Sequence, residues 1–194
     1  MSKLSGIRVV DLSLFLPGPM MTSMLADHGA EIIKIEPPGG DPARQMEPFE
    51  EGQSVWFRNI NRGKQSVVLD LKQKDNLQKL YRLVEESDIF VEAFRPGVAN
   101  RLEIDYETLS AINPRIIYCS ISAFGQDGPL AHHPAHDLAV EAFAGFMSVN
   151  DKGDGEPVVP AFPAADASAS LVAPVSYTHL RAPETEAELV WRRL

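Results

Sequence analysis

The chain has 194 residues, a formal net charge of −9 at pH 7 and 44% hydrophobic residues, which is the composition of an ordinary globular protein with one full domain. The acidic balance argues against general nucleic-acid binding, and no apolar run approaches the roughly 20 residues that cross a bilayer. The opening segment MSKLSGIRVVDL lacks the features of a signal peptide, so a cytoplasmic location is expected. A single cysteine, Cys119, excludes an internal disulfide and indicates no metal cluster.

A strand, a helix and a second strand are predicted at the start of the chain. IRVVDL (7–12) and AEIIKIE (30–36) are rich in β-branched residues and predict buried strands. Pro19 suits the first turn of the helix between them, and Gly29 suits its end. The apolar face of this helix is formed by Met21, Met24 and Leu25, with His28 at its end. The succession predicts a βαβ unit and a parallel sheet.

Three more strands alternate with helices in the rest of the chain. Residues 37–65 are expected to be irregular because they are rich in proline, glycine and charge. The strands are predicted over SVVLDL (66–71), DIFVEAF (88–94) and RIIYCSISAFG (115–125), the last holding Cys119 as a buried structural thiol. Helices are predicted around residues 77–84, 98–102, 106–112, 137–147 and 165–173. The pattern predicts an α/β fold with a doubly wound, mainly parallel sheet.

Three short stretches contain side chains suited to chemistry. HHPAHDL (132–138) ends on His136 and an aspartate, so His136 is a candidate for handling a proton or a substrate, whereas His132 and His133 are interpreted as loop residues. RNINRGK (58–64) concentrates positive charge and suits either an anionic ligand or a solvated surface. Asp166 opens the last predicted helix, and the residue alone favours a helix N-cap.

Five ordered stretches resemble the family III CoA-transferases of the CaiB/BaiF type, whose superfamily includes the α-methylacyl-CoA racemases. They are GIRVVDLSLFLPGPMMTSMLADHGAEIIKIEPPGGDPAR, NINRGKQSVVLDLK, VEAFRPGVANRL, NPRIIYCSISAFGQDGP and AHDLAVEAFAG. The resemblance covers residues 6 to about 174. It implies a Rossmann-like large domain that takes coenzyme A or acyl-CoA as substrate, with a carboxylic acid as the second substrate and no permanent cofactor. It also implies an interlocked homodimer for the full-length protein.

The resemblance also implies a set of CoA contacts, all at or near the ends of predicted strands. The matching positions are Leu16, Pro17, Leu69, Asp70, Leu71, Lys72, Ala93, Phe94, Arg95 and Arg101. Ligands of open α/β sheets bind beyond the carboxyl ends of the strands, so the sequence agrees in kind. Arginine and lysine suit the CoA phosphates, and Phe94 is expected to face the adenine. Leu16 stands where a formyl-CoA transferase has glutamine, which argues against formyl or oxalyl specificity.

Two residues match the catalytic positions of the superfamily. In the transferases, Asp166 corresponds to a nucleophilic aspartate that forms an acyl anhydride and then a thioester with CoA. A helix N-terminus is expected to keep this carboxylate ionised. In the racemases, the residues matching His136 and Asp166 are an acid–base pair. The flanks AHDLAVEA and PAADASAS differ from the racemase pattern, so a transferase is favoured. A truncated, inactive CoA-binding fragment is a further alternative.

The last 20 residues, VSYTHLRAPETEAELVWRRL, do not follow the family pattern. They resemble translated sequencing-adapter DNA joined near Pro174 or Val175, although their composition also suits an amphipathic helix. Residues 1–174 are therefore expected to be the N-terminal part of the CoA-binding large domain, and residues 175–194 a non-native tail. The small domain and the returning chain are expected to be absent, which would leave the fragment inactive. The acyl donor and acceptor are not predicted.

Overall fold

The computed structural model describes residues 2–150, 153 and 155–181. Its centre is a five-stranded sheet in which all neighbouring strands are parallel. The strands are β1 (Arg8–Asp11), β2 (Glu31–Glu36), β5 (Lys64–Val68), β6 (Ile89–Glu92) and β7 (Ile117–Ser120), in the order β5-β2-β1-β6-β7. The chain order reverses between β1 and β6, which is the switch point of a doubly wound sheet. The predicted fold class is confirmed.

Helices and a small hairpin surround this sheet. The longer helices are α1 (Pro17–Asp27), α3 (Lys74–Glu85) and α7 (Ala164–Arg181). The shorter ones are α2 (Val55–Ile60), α4 (Val98–Arg101), α5 (Tyr106–Ile112) and α6 (Asp137–Phe143), with 3₁₀ turns at Pro42–Gln45 and Phe146–Asn150. The hairpin pairs β3 (Phe49–Glu50) with β4 (Gln53–Ser54). Most of the predicted non-native tail, residues 182–194, lies outside the described residues.

Successive side chains of a strand point to opposite sides, so the sheet has two apolar faces. Helices cover both of them. On one face, Val10 and Phe90 pack in a cluster with Leu80 of α3. On the other face, Val9 packs in a cluster with Met21 of α1. The predicted apolar face of α1 is therefore buried at Met21 and Leu25, and the helix ends before Gly29, whose φ is +96°. His28 is exposed and forms no part of the core.

Several predicted boundaries were wrong. The third sheet strand covers Lys64–Val68 rather than 66–71, because the chain turns at Asp70, whose carboxylate accepts the Lys72 backbone N–H over 3.1 Å. The strands predicted over 88–94 and 115–125 are shorter, at Ile89–Glu92 and Ile117–Ser120. Residues past each strand instead form the loops at the carboxyl edge of the sheet.

The segment predicted to be irregular, 37–65, contains the hairpin, a 3₁₀ turn and α2. Helix α2 begins where the Ser54 hydroxyl accepts the Phe57 N–H over 3.2 Å, which satisfies one of the free donors of the first turn. Helix α6 is shorter than predicted, since it ends at Phe143, two residues before Gly145 with its φ of +75°. Capping residues, rather than apolar periodicity, set these boundaries.

Two buried ion pairs hold the sheet together near its carboxyl edge: one joins β2 to the loop after it, and the other joins β5 to the last residue of β1. Lys34 Nζ lies 2.9 Å from Asp41 Oδ2, and its side chain is only 1% exposed. The same ammonium donates to the Ser13 carbonyl over 2.7 Å. Lys64 Nζ lies 3.0 Å from Asp11 Oδ2, and burial lowers the pKa of Lys64 to about 8. Desolvation acts to raise the pKa of Asp11, but the two lysines and the hydroxyls of Ser13 and Thr22 together lower it.

We expect Lys34→Met to lower the free energy of unfolding by about 3 kcal/mol, because it leaves the buried Asp41 carboxylate without its cation. Urea denaturation followed by circular dichroism measures the change. The double variant Lys34→Met with Asp41→Asn should lose less free energy of unfolding. The amide carries no unpaired charge, and its oxygen still accepts the Ala43 N–H. As a matched control, Arg62→Ala breaks the exposed pair with Asp27 and should cost about 1 kcal/mol or less. Equal losses for Lys34→Met and Arg62→Ala would contradict this account.

Candidate active site

A cleft of about 410 Å³ lies at the carboxyl edge of the sheet, at the switch point between β1 and β6. Its walls come from the loops after β1, β6 and β7, from the histidine loop and from the first turns of α7. The lining residues include Phe15, Pro17, Ala93, Phe94, Arg95, Phe124, His133, His136 and Asp166. Residues far apart in the sequence therefore meet where parallel strands end.

A second, narrower pocket adjoins this cleft at the ends of β2 and β5. It is lined mainly by apolar side chains, with Leu69, Asp70, Leu71 and Lys72 on the loop after β5. Leu14 and Phe94 line both cavities. Because they share two walls, the cavities lie side by side at the edge of the sheet, and this row of two pockets is termed the path.

Eight of the ten predicted CoA contacts line this path, and two do not. Leu16 is 7% exposed and packs with Ala43 and Ile60. The preceding residue, Phe15, has a φ of +63°, and the chain bends there. Phe15 therefore lines the cleft, and Leu16 enters the core. Arg101 is exposed at the end of α4 and lines neither cavity.

The basic residues concentrated in the stretch 58–64 are not the ones available to a ligand. In the stretch 58–64, Arg58 pairs with Glu50, Arg62 pairs with Asp27, and Lys64 is buried against Asp11. Within the described part of the chain, Lys72, Arg95 and Arg101 have exposed side chains without an ion pair. Exposed, unpaired cations at the edge of a ligand path suit phosphate groups.

Asp166 is the third residue of α7 and not its N-cap, so the predicted helix start was wrong. Two of the free N–H groups of this first turn are satisfied from α6 instead. The Asp166 N–H donates to Asp137 Oδ1 over 2.9 Å, and the Ala164 N–H donates to Glu141 Oε1 over 2.7 Å. Asp137 and Glu141 are four residues apart and therefore share one face of α6.

The pKa of Asp166 is raised to about 6, chiefly by burial and then by the nearby Asp137 carboxylate. Glu141 adds to the rise, and His136 opposes it. The predicted effect of the helix N-terminus, which favours the ionised form, is outweighed by desolvation and by two neighbouring carboxylates. Asp166 is nevertheless mostly ionised at pH 7, in a position that lines the cleft.

His136 lies on the same cleft as Asp166, so the structure brings the two predicted catalytic residues together. His136 is the N-cap residue of α6, where its carbonyl accepts the Ala139 N–H and its side chain makes no capping hydrogen bond. The ring contacts Phe15 at nearly a right angle, with 5.9 Å between the ring centroids. His133, interpreted from the sequence as a loop residue without a role, also lines the cleft, because the turn of the histidine loop places it there.

Sequence reasoning missed Phe15, Asp137 and Glu141. The i, i+4 spacing of the two carboxylates was a signal for a shared helix face, but nothing local indicated that α7 would supply their donors. The role of Phe15 follows from a backbone angle that is uncommon for a phenylalanine.

Cys119 lies on β7 and is half-buried. Burial, together with Glu92 and Asp11, raises the pKa of its thiol to about 11. The group is therefore a neutral thiol at pH 7. A neutral thiol is a poor nucleophile, which agrees with the interpretation of Cys119 as a structural residue.

Neither a metal centre nor a membrane segment is found in the described ranges. No three histidine, cysteine, aspartate or glutamate side chains among residues 2–150, 153 and 155–181 are grouped to hold a metal ion. Over the same ranges, each helix is too short or too polar to cross a bilayer.

Comparison with known proteins identifies the family. Residues 4–180 match the model of CoA-transferase family III, and the chain belongs to this family. An acetyl-CoA:oxalate CoA-transferase from Acetobacter aceti is 48% identical over 153 residues, which are 78% of this chain and 39% of the relative. A succinate–glutarate CoA-transferase from Agrobacterium fabrum is 42% identical over 80% of this chain and 41% of its own length.

The structural comparison gives the same result. A CaiB/BaiF family protein from Brucella suis superimposes with a TM-score of 0.86 at 36% identity, covering 93% of this chain and 50% of that protein. The chain thus spans less than half the length of the curated relatives given above and half of this structure. The name of the Acetobacter relative gives no support to the expectation that Leu16 disfavours oxalyl groups.

We expect Asp166→Asn to raise the free energy of unfolding at pH 8 by on the order of 1 kcal/mol. The folded-state pKa of Asp166, about 6, lies above the ordinary value of 3.8, so the folded state binds this proton more tightly. Above pH 6 the native protein must hold a charge beside Asp137 and Glu141, whereas below about pH 4 the carboxyl is neutral in both states. The stabilisation should therefore disappear in urea denaturation at pH 4. Asp127→Asn, on an exposed loop, should have little effect at either pH. A pH-independent effect of Asp166→Asn would contradict the repulsion.

Proposed function

We propose that this chain is the N-terminal part of a CoA-transferase that moves CoA between carboxylic acids, with Asp166 as the covalent nucleophile. The observation that carries the proposal is the position of Asp166, which lines a cleft at the switch point of the sheet. At pH 7 its carboxylate is mostly ionised, as a nucleophile must be. The family and the names of the curated relatives support the same chemistry.

The reaction begins when an Asp166 carboxylate oxygen attacks the thioester carbonyl of an acyl-CoA. CoA leaves as the thiolate, and the acyl group stays on Asp166 as a mixed anhydride. The thiolate then attacks the side-chain carbonyl of Asp166, which releases the first carboxylate and forms an aspartyl-CoA thioester. The acceptor carboxylate reverses these two steps and leaves as the new acyl-CoA. Over the complete cycle one thioester is exchanged for another and one carboxylate for another, so no water and no cofactor is consumed.

The path along the edge of the sheet suits an extended CoA. Lys72 and Arg95 supply positive charge for its phosphates, and Arg101 lies close to the same edge on α4. The narrower pocket, with Leu71 and Phe94 among its walls, suits the adenine ring. The thioester then lies in the wider cleft, where Asp166 is found.

His136 takes no part in the covalent steps of this reaction. Its ring lines the cleft near Phe15, and its effect on Asp166 is to favour the ionised form. We propose that it places the acyl group and supports the nucleophilic carboxylate. The racemase alternative, in which His136 and Asp166 exchange an α-proton, is disfavoured because the relatives given above carry the names of CoA-transferases.

In the complete protein, incubation with an acyl-CoA followed by hydroxylamine should convert Asp166 to a hydroxamate, because hydroxylamine attacks both the anhydride and the aspartyl thioester. Peptide mass spectrometry locates the modification. Without acyl-CoA the residue should stay unmodified, and Asp137, whose carboxylate accepts the Asp166 N–H, serves as the internal control. Normal turnover without modification of Asp166 would refute the covalent mechanism.

A 2-methylacyl-CoA in deuterated water separates the transferase from the racemase. We expect no deuterium at the α-carbon on the time scale of CoA transfer, since the transferase cycle never breaks that C–H bond. His136→Ala should lower the transfer rate about tenfold or more through poorer placement, and it should leave exchange absent. Proton NMR of the recovered thioester measures exchange. Exchange as fast as turnover, abolished on one face by His136→Ala, would establish the racemase instead.

A further inference from the structure

Glu141 is a buried carboxylate that the proposed reaction does not use. It is 3% exposed, and no cation pairs with it among the residues that the structure describes. It accepts a hydrogen bond from the neutral Ala164 N–H over 2.7 Å. A buried carboxylate with so little compensation lowers stability, so its position calls for an explanation beyond packing.

The location of Glu141 connects it to Asp166. Ala164 is the first residue of α7 and Asp166 is the third, so both belong to the same helical turn. Asp137 and Glu141 accept two of the N–H groups that a helix N-terminus leaves without a partner. Those donors are therefore directed at α6 and are not available to stabilise a negative charge on the Asp166 side chain.

We propose that Glu141 is a positioning residue for Asp166: its carboxylate anchors the first turn of α7 through Ala164, and its charge repels negative charge on the Asp166 side chain. The inference rests on the proposed role of Asp166 as nucleophile. In that cycle Asp166 alternates between a carboxylate and two acylated forms that carry no charge. Repulsion from Glu141 raises the free energy of the carboxylate form of Asp166 and leaves the two uncharged acylated forms unaffected. The repulsion therefore favours acylation of Asp166.

Other charged and titratable groups act on Asp166 or line the cleft beside it. From α6, Asp137 repels the charge as Glu141 does. At the start of α6, His136 attracts it, and His133 and Arg95 line the same cleft from the preceding loop and from the loop after β6. The raised pKa of Asp166, about 6, agrees with a balance in which burial and the two α6 carboxylates dominate.

Glu141→Gln separates charge from anchoring, since the amide oxygen still accepts the Ala164 N–H. In the 194-residue chain with ¹³C-labelled aspartate, a carboxyl NMR titration assigned by Asp166→Asn gives the pKa of Asp166. We expect Glu141→Gln to lower this pKa by roughly half to one pH unit. Glu107→Gln, which removes an exposed negative charge from α5, is the matched control and should leave it unchanged. An unchanged pKa in Glu141→Gln overturns the electrostatic part of the proposal.

Glu141→Leu tests the anchoring part, because leucine fills similar space without an acceptor. Hydrogen exchange at the Ala164 amide should become about tenfold faster or more in Glu141→Leu and should change little in Glu141→Gln. Equal exchange rates at the Ala164 amide in the two variants would show that Glu141 does not anchor the first turn of α7. Neither measurement depends on turnover, so a failure of the nucleophile mechanism is seen separately, in the hydroxylamine experiment.

Discussion

The two buried lysine–aspartate pairs at the carboxyl edge of the sheet are the constraint on which the cleft depends. Moving such charges out of water costs several kcal/mol per ion, so the pairs are tolerated only where further hydrogen bonds satisfy them. Lys34 bonds the Ser13 carbonyl over 2.7 Å, and Lys64 bonds the Pro19 carbonyl over 2.9 Å. Ser13 and Pro19 flank the loop that carries Phe15. The ion pairs therefore hold the backbone that forms one wall of the cleft.

The same loop positions α7. The Ser170 hydroxyl lies 2.9 Å from the Pro17 carbonyl at the start of α1 and 2.7 Å from the Asp166 carbonyl. The first turn of α7 is fixed from the other side by Asp137 and Glu141 of α6. Asp166 is thus placed between two helices, one of which begins at the loop held by the buried lysines. A change in the network would reach the Asp166 carboxyl through packed backbone rather than through solvent.

The sequence was sufficient to predict the sheet but not the details of the cleft. The isoleucines of runs such as EIIKIE favour strands, and the alternation of these runs with helical segments predicted the parallel sheet. The resemblance also singled out Asp166 and His136, which the structure places on one cleft. The sequence could not predict that Leu16 enters the core, because this depends on the backbone angle at Phe15. Nor could it show that α6 caps α7, because 23 residues separate Glu141 from Ala164 along the chain.

The distribution of charge explains how an acidic chain can suit an anionic substrate. The net charge is −9, but the unpaired cations Lys72 and Arg95 line the path at the loops after β5 and β6, and three carboxylates surround the start of α7. Under the proposed function, phosphates are attracted to the first region and repelled from the second, which sets the direction in which CoA lies. The uncharged thioester is the part of the molecule that meets the carboxylates without repulsion.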